Sequence, residues 1–271
     1  MRFRLPGFPP GFTSGSILAV ALAIGTAQGQ LGYKVPRTPD GLPDLQGIWQ
    51  VRDTTAAFDV QDHAAALGIP AGRSIIVQPA DGRIPYKPEA LAKRRENFKN
   101  REAGDTLNKC YMPGVPRINY LDFPFQIFET PKYTLIAYEY IHNYRTIFTN
   151  GTQHLAGLDW WNGDSRGHWD GDSLVVDVTD FNDQTWFDAS GDYHSDKLHV
   201  VERYTLLDAN TINYEATIED PSTFTKPWKI SLLLYRHREK NARLLEFKCV
   251  EYTEQLLYGD LVRKPDTSKK P

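Results

Sequence analysis

Long apolar runs are scarce in this chain. The longest is residues 16–24, SILAVALAI. Crossing the hydrocarbon takes about 20 apolar residues, and no later run replaces this one, so stable membrane insertion is not expected. Positive charge is short as well. Lys and Arg number 31 against 34 Asp and Glu, a net charge of −3. Phosphate binding needs clustered positive charge, so no nucleic-acid partner is expected. The one basic cluster, Lys93-Arg94-Arg95 to Arg101, alternates with Glu96 and Asn97 and reads as a solvated helix face. Cysteine is limited to Cys110 and Cys249, without a CxxC pair, which leaves redox and zinc readings weak. Walker and Rossmann loops are missing, and Asp164-Ser165-Arg166 does not resemble a serine nucleophile turn. No cofactor is expected, and no histidine spacing matches a metal signature.

The short apolar run fits another role. Arg2 and Arg4 precede it without an acidic residue, and the small residues of 25–30, GTAQGQ, follow it. Charge, apolar core and small-residue cleavage site are the order of an export signal. Residues 1–29 are expected to be a signal peptide, cut after Ala27 or Gly29. The mature protein would then be periplasmic or secreted. Removing the leader takes away two of the 31 basic residues and no acid, leaving 29 against 34, a net charge of −5. An oxidising compartment favours pairing of Cys110 with Cys249; the alternative is two buried thiols.

Aromatic residues are abundant, with 14 Tyr and 6 Trp, which favours strands. Residues 30–271 are expected to form a single β-rich domain. Its first part, 30–109, would be an extended lead-in, a strand at 47–51 and a surface helix at 88–101, with Pro88 and Glu89 in the first turn. The second part, 110–271, would be an antiparallel meander. Period-two alternation marks strands at 125–129, 133–140, 144–149, 198–206, 211–219, 228–235 and 244–250, and Asp170-Gly171 reads as a two-residue hairpin turn. About nine strands in sequence order close most easily into an up-and-down barrel or a strongly curved sheet; a two-sheet sandwich is the alternative. Gly47-Ile48-Trp49 resembles the G-x-W strand of lipocalins, which implies a lipocalin-like barrel.

Alternation also sorts the polar residues. Leu198, Val200, Glu202, Tyr204 and Leu206 share one face of their strand, so Glu202 sits among apolar neighbours. A carboxylate there pairs with a cation or rises in pKa. The first makes a structural ion pair; the second makes an acid/base group. Two polar loops carry the other candidates. One places His154, Trp160, Trp161, Asp164 and Arg166 together; the other places Trp186, Asp188 and His194. Convergence over a barrel mouth would make a binding site. In that case His194 is first choice for proton transfer, Glu202 balances it, and Asp164 with Arg166 holds polar groups. Trp160, Trp161 and Trp186, with His154 and Asp188, would line the ligand. The alternative is that the tryptophans plug the barrel end.

The segments RTPDGLPDLQGIW, KCYMPGVPR, GDSRGHWDGDSLVVDVTDFND and HSDKLHVVERYTLLDANTINYEATIEDP resemble a family of exported proteins of soil and environmental bacteria. The resemblance covers nearly all of the mature chain. It implies export, a bacterial source and one integrated domain, and it transfers no catalytic residue. LLEFKCVEY resembles that family's cysteine-bearing last strand, which fits a Cys110–Cys249 pair. The expected partner is a small organic molecule or a saccharide. Three functions follow: a cofactor-free acid/base lyase, hydratase or isomerase, a non-catalytic lipocalin-like binder, or a carbohydrate-binding or glycoside-cleaving protein.

Overall fold

The computed structural model describes residues 33–66, 69–155 and 157–259. The expected leader and its cleavage site lie outside them. From Tyr33 on, the described residues belong to one compact unit. Ten strands form one sheet: β1 (Gly47–Val51), β2 (Ile76–Gln78), β3 (Phe125–Glu129), β4 (Tyr133–Tyr138), β5 (Tyr144–Phe148), β6 (Asp164–Asp170), β7 (Ser173–Thr179), β8 (His199–Asp208), β9 (Thr211–Glu219) and β10 (Trp228–Arg236). Nine of them close into a barrel, because β1 pairs with β3 on one edge and with β10 on the other. The short β2 adds to the same edge of β10 beyond β1. The molecule is a mainly β barrel, as the alternation predicts, and not a sandwich.

Alternation is cleanest in β8 and β9, where every second residue is buried. Trp49, Phe125, Ile127, Tyr204 and Tyr214 are among the largest fully buried side chains. They belong to one continuous core together with Ile136, Ile147, Val176, Val178 and Ile218. Strand pairing thus places one face of each strand out of water and leaves the other half-solvated.

The structure departs from the sequence reading in four places. First, β5 and β6 run parallel, with Ile147 opposite Ser165 and Phe148 opposite Arg166. β6 therefore starts beside the last residues of β5 and continues in the same direction. All other pairings among the ten named strands are antiparallel. Second, residues 244–250 are not a strand. One edge of β10 is held by β9 and the other by β1 and β2, so the barrel has no edge left for them. They are tied down instead by the Cys110–Cys249 disulfide, by Phe247 against Phe123 and Tyr140, and by Leu245 N–H donating to Glu139 Oε2 at 2.7 Å. Third, the helix at 88–101 is shorter, α1 (Ala90–Lys99), and two short ones accompany it, α2 (Arg101–Gly104) and α3 (Thr253–Tyr258). The hairpin turn is also offset by one residue. Asp170 pairs with Ser173, so Gly171 and Asp172 form the loop, with Gly171 at φ 59°. No helix among the described residues is long and apolar enough to cross a membrane.

Strand direction makes the two barrel ends unlike. The tight turns at 130–132, 171–172 and 209–210 close one end. The other receives the long connections 52–124, 180–198 and 220–227. Nearly all the polar candidates fall at or beside this loop-rich end.

Candidate functional site

Glu202 points into the barrel and is fully buried. It meets Arg145 of β5, whose two terminal nitrogens donate to its two oxygens. Its Oε1 also accepts from Asn119 Nδ2 at 3.1 Å, Tyr204 OH at 3.0 Å and Tyr214 OH at 2.8 Å. Arg145 Nε donates to Ser165 Oγ at 2.8 Å, and Tyr138 OH donates to Asn119 Oδ1 at 3.1 Å. Burial pushes the phenols of Tyr138, Tyr204 and Tyr214 well above their ordinary range. Fully buried, with a bidentate arginine and three further donors on Oε1, this carboxylate is out of a substrate's reach. This is the structural ion pair, one of the two roles the alternation allows it.

Gly163 to Gly167 spells G-x-S-x-G, yet residues 164–167 run within β6, and Ser165 is buried against Arg145. A nucleophile elbow requires a sharp strand-to-helix turn with an exposed serine, and neither is present here.

The second polar loop folds over the loop-rich end, and its chemistry is buried. His194 Nδ1 donates to the Ser195 carbonyl at 2.9 Å, because a carbonyl only accepts. Its Nε2 then accepts from Thr185 Oγ1 at 2.7 Å. Phe181 and Phe187 flank the ring, and burial pushes its pKa down. His194 and Glu202 share no hydrogen-bond partner, so the pair set out for proton transfer occupies two separate networks. Asp188 accepts three backbone N–H groups, from Val60, Ser190 and Asp192. Its oxygens lie within 4.8 Å of those of Asp59 and Asp192. Burial and these like charges push Asp188 and Asp59 up, while Arg94 binds Asp192 and reaches Asp59. Trp186 packs with Ala90 and Tyr193. The loop acts as a stopper on the barrel.

The first polar loop runs along the outer wall. There His154 meets outward-facing residues of two successive strands, β6 and β7. Its Nδ1 lies 3.1 Å from Asp164 Oδ2 and its Nε2 3.2 Å from Asp177 Oδ1. His199 Nε2 approaches the same Asp177 oxygen, also at 3.2 Å, and its Nδ1 faces Glu219 Oε2 at 3.8 Å. Arg166 donates twice to Asp164 Oδ2, from Nε and a terminal nitrogen, while its guanidinium lies over the Phe148 ring. The side chains of His154, Asp177 and His199 are 27%, 47% and 35% exposed. Leu155, Leu158 and Trp160 of the same loop are exposed as well. Trp161 instead stacks on Tyr111, with ring centroids 5.0 Å apart.

Of the residues singled out in the sequence, the fold therefore joins His154, Asp164 and Arg166. It leaves Asp188, Trp186 and His194 in the stopper and Glu202 in the core. The three tryptophans do not share a surface. Asp177 was missed, although its outward position between Val176 and Val178 is readable from alternation. What could not be read is that a loop residue twenty-three positions earlier reaches it. No family model, curated protein or solved structure matches the chain.

Proposed function

We propose that the chain is an exported small-molecule-binding protein that meets its ligand on the outer wall of the barrel, around His154, Asp177 and His199. A β-barrel is compatible with ligand binding, and small barrels are often filled by side chains rather than hollow. The observation that carries this reading is the contrast in access. Here Glu202, Arg145 and His194 are hydrogen-bonded within the protein and buried, while the outer cluster holds two oriented imidazoles within reach of solvent. The ligand is a small organic molecule with a polar head for the imidazoles, Asp177 and Arg166, and an apolar or planar body for Leu155, Leu158 and Trp160. The leader-like start of the chain and the disulfide support export. A saccharide is the second reading, favoured only by the exposed Trp160.

A thermal-shift screen of aromatic, acidic and saccharide metabolites tests the proposal. A ligand that stabilises the wild type is expected to lose its effect in Trp160→Ala and His199→Ala and to keep it in His194→Gln. A ligand unaffected by both outer-wall changes and lost in His194→Gln would overturn it and move the site to the stopper.

A further inference from the structure

Asparagine followed by glycine carries a latent reaction. The glycine backbone nitrogen can attack the asparagine side-chain carbonyl, because no Cβ stands in the way. The sequence has two such pairs, Asn150-Gly151 and Asn162-Gly163. They are alike as dipeptides, and the fold places them in opposite surroundings.

Asn150 and Gly151 are both exposed at the start of the first polar loop. Gly151 has φ 75°, and apart from its chain neighbours nothing lies within 4 Å of where a Cβ would stand. The Asn150 side chain is engaged through Oδ1, which accepts from the Thr152 N–H at 3.3 Å and from its Oγ1 at 2.8 Å. Both bonds draw charge away from Cγ, the atom under attack. Asn162 is buried, and its Nδ2 donates to Met112 Sδ at 3.8 Å. The Gly163 N–H donates to the Trp160 carbonyl at 3.5 Å. A Cβ at Gly163 would lie 2.5 Å from Val178 Cγ1 and 2.8 Å from Phe181 Cζ. The next residue, Asp164, is already paired with Thr179. Closing a five-membered ring at Asn162 requires the backbone to leave the barrel wall.

We propose that Asn150 is a site of spontaneous deamidation and that the fold protects Asn162. The Gly151 nitrogen bonds to Asn150 Cγ, the Cγ–Nδ2 bond breaks, and ammonia leaves with the amide proton. The cyclic imide then takes up one water. Opening at one carbonyl gives aspartate, and opening at the other gives isoaspartate. Water is the co-reactant. The site does not rest on the ligand-binding reading of this wall.

The consequence reaches the same loop. Thr152 Oγ1, which bonds Asn150, accepts from Arg166 Nη1 at 2.8 Å, and Arg166 in turn holds Asp164. The new carboxylate adds negative charge two hydrogen bonds away from Arg166. Isoaspartate also lengthens the main chain by one carbon, just ahead of His154. Deamidation therefore changes both the charge and the reach of the loop that carries this imidazole.

The test holds the folded chain at mildly alkaline pH for days, beside a second sample kept in denaturant. One tryptic peptide, 146–166, carries both asparagines, and its fragments place the mass gained at 150 or at 162. In denaturant the two are expected to convert at similar rates. In the folded chain Asn150 is expected to convert at least about tenfold faster, since a buried asparagine reacts only after local opening. An isoaspartyl methyltransferase is expected to label the aged chain at 150. Asn150→Gln is expected to lose that label at an unchanged melting temperature. Asn162 keeping pace with Asn150 in the folded chain would overturn the proposal, as would an Asn150 that stays intact there and converts in denaturant.

Discussion

At the scale of single residues, the buried Glu202–Arg145 pair exposes how much of the core is electrostatic. Two charges out of water cost several kcal/mol each, offset only when every donor and acceptor is matched. Here the matching is dense, with Asn119, Ser165, Tyr204 and Tyr214 all engaged. Arg145→Met alone or Glu202→Gln alone is expected to cost about 3–5 kcal/mol in denaturant unfolding, because each strands a charge or a set of donors. Changing both together is expected to cost well under the sum. An additive cycle would mean that the two side chains act independently.

Glu129 gives a pH dependence of known sign. Burial raises its carboxyl from an ordinary value near 4.5 to about 8, and its Oε1 has no hydrogen-bond partner. Between those values the folded chain holds a proton that the unfolded chain has released. Its contribution to stability is therefore full below about pH 4.5, falls as pH rises, and is lost above about pH 8. Glu129→Gln is expected to flatten the part of the melting-temperature profile between pH 5 and 8. An unchanged slope would place the effect on other groups.

At the scale of elements, the stopper loop depends on close approach to α1. Gly191 has φ 84°, and a Cβ there would lie 2.7 Å from Asn97 Cβ and 2.8 Å from the Phe98 nitrogen. Gly191→Ala is expected to cost about 1–3 kcal/mol through combined strain and clash. Hydrogen exchange should localise the loss to 186–194 and α1 and spare the barrel strands. The disulfide works on another element. It closes a sequence separation of 139 residues, worth about 5 kcal/mol in the chain-entropy account. Replacing Cys110 and Cys249 with serine is expected to lower the unfolding midpoint and to expose 244–250 to protease. The β8–β9 pairing, which the disulfide does not touch, is expected to stay protected under native conditions.

At the scale of the whole molecule, legibility followed the range of the interactions. β8 and β9 could be read from alternation because burial on one face repeats every two residues. The inward position of Glu202 followed from the same rule. The parallel β5–β6 pair was not legible, because the direction of 149–163 depends on where the strands lie in space. Residues 244–250 misled for a related reason: their pattern is that of a strand, and the edge they needed was already occupied. The outer-wall cluster was half legible. His154, Asp164 and Arg166 are near neighbours in sequence, whereas Asp177 and His199 join them through the register of β7 against β8.

Closure of the ring sets an order of events. Trp49 faces Arg236, and Val51 faces Leu234, so the first strand waits for the last. A chain made from its N-terminus holds β1 with β3 and an unsatisfied edge until residue 236 has emerged. Pairings this distant in sequence carry a large loop-closure entropy, and barrels dominated by them fold in about milliseconds to seconds rather than microseconds. The half-made barrel is thus a long-lived open sheet, and its exposed edges are where self-association would begin.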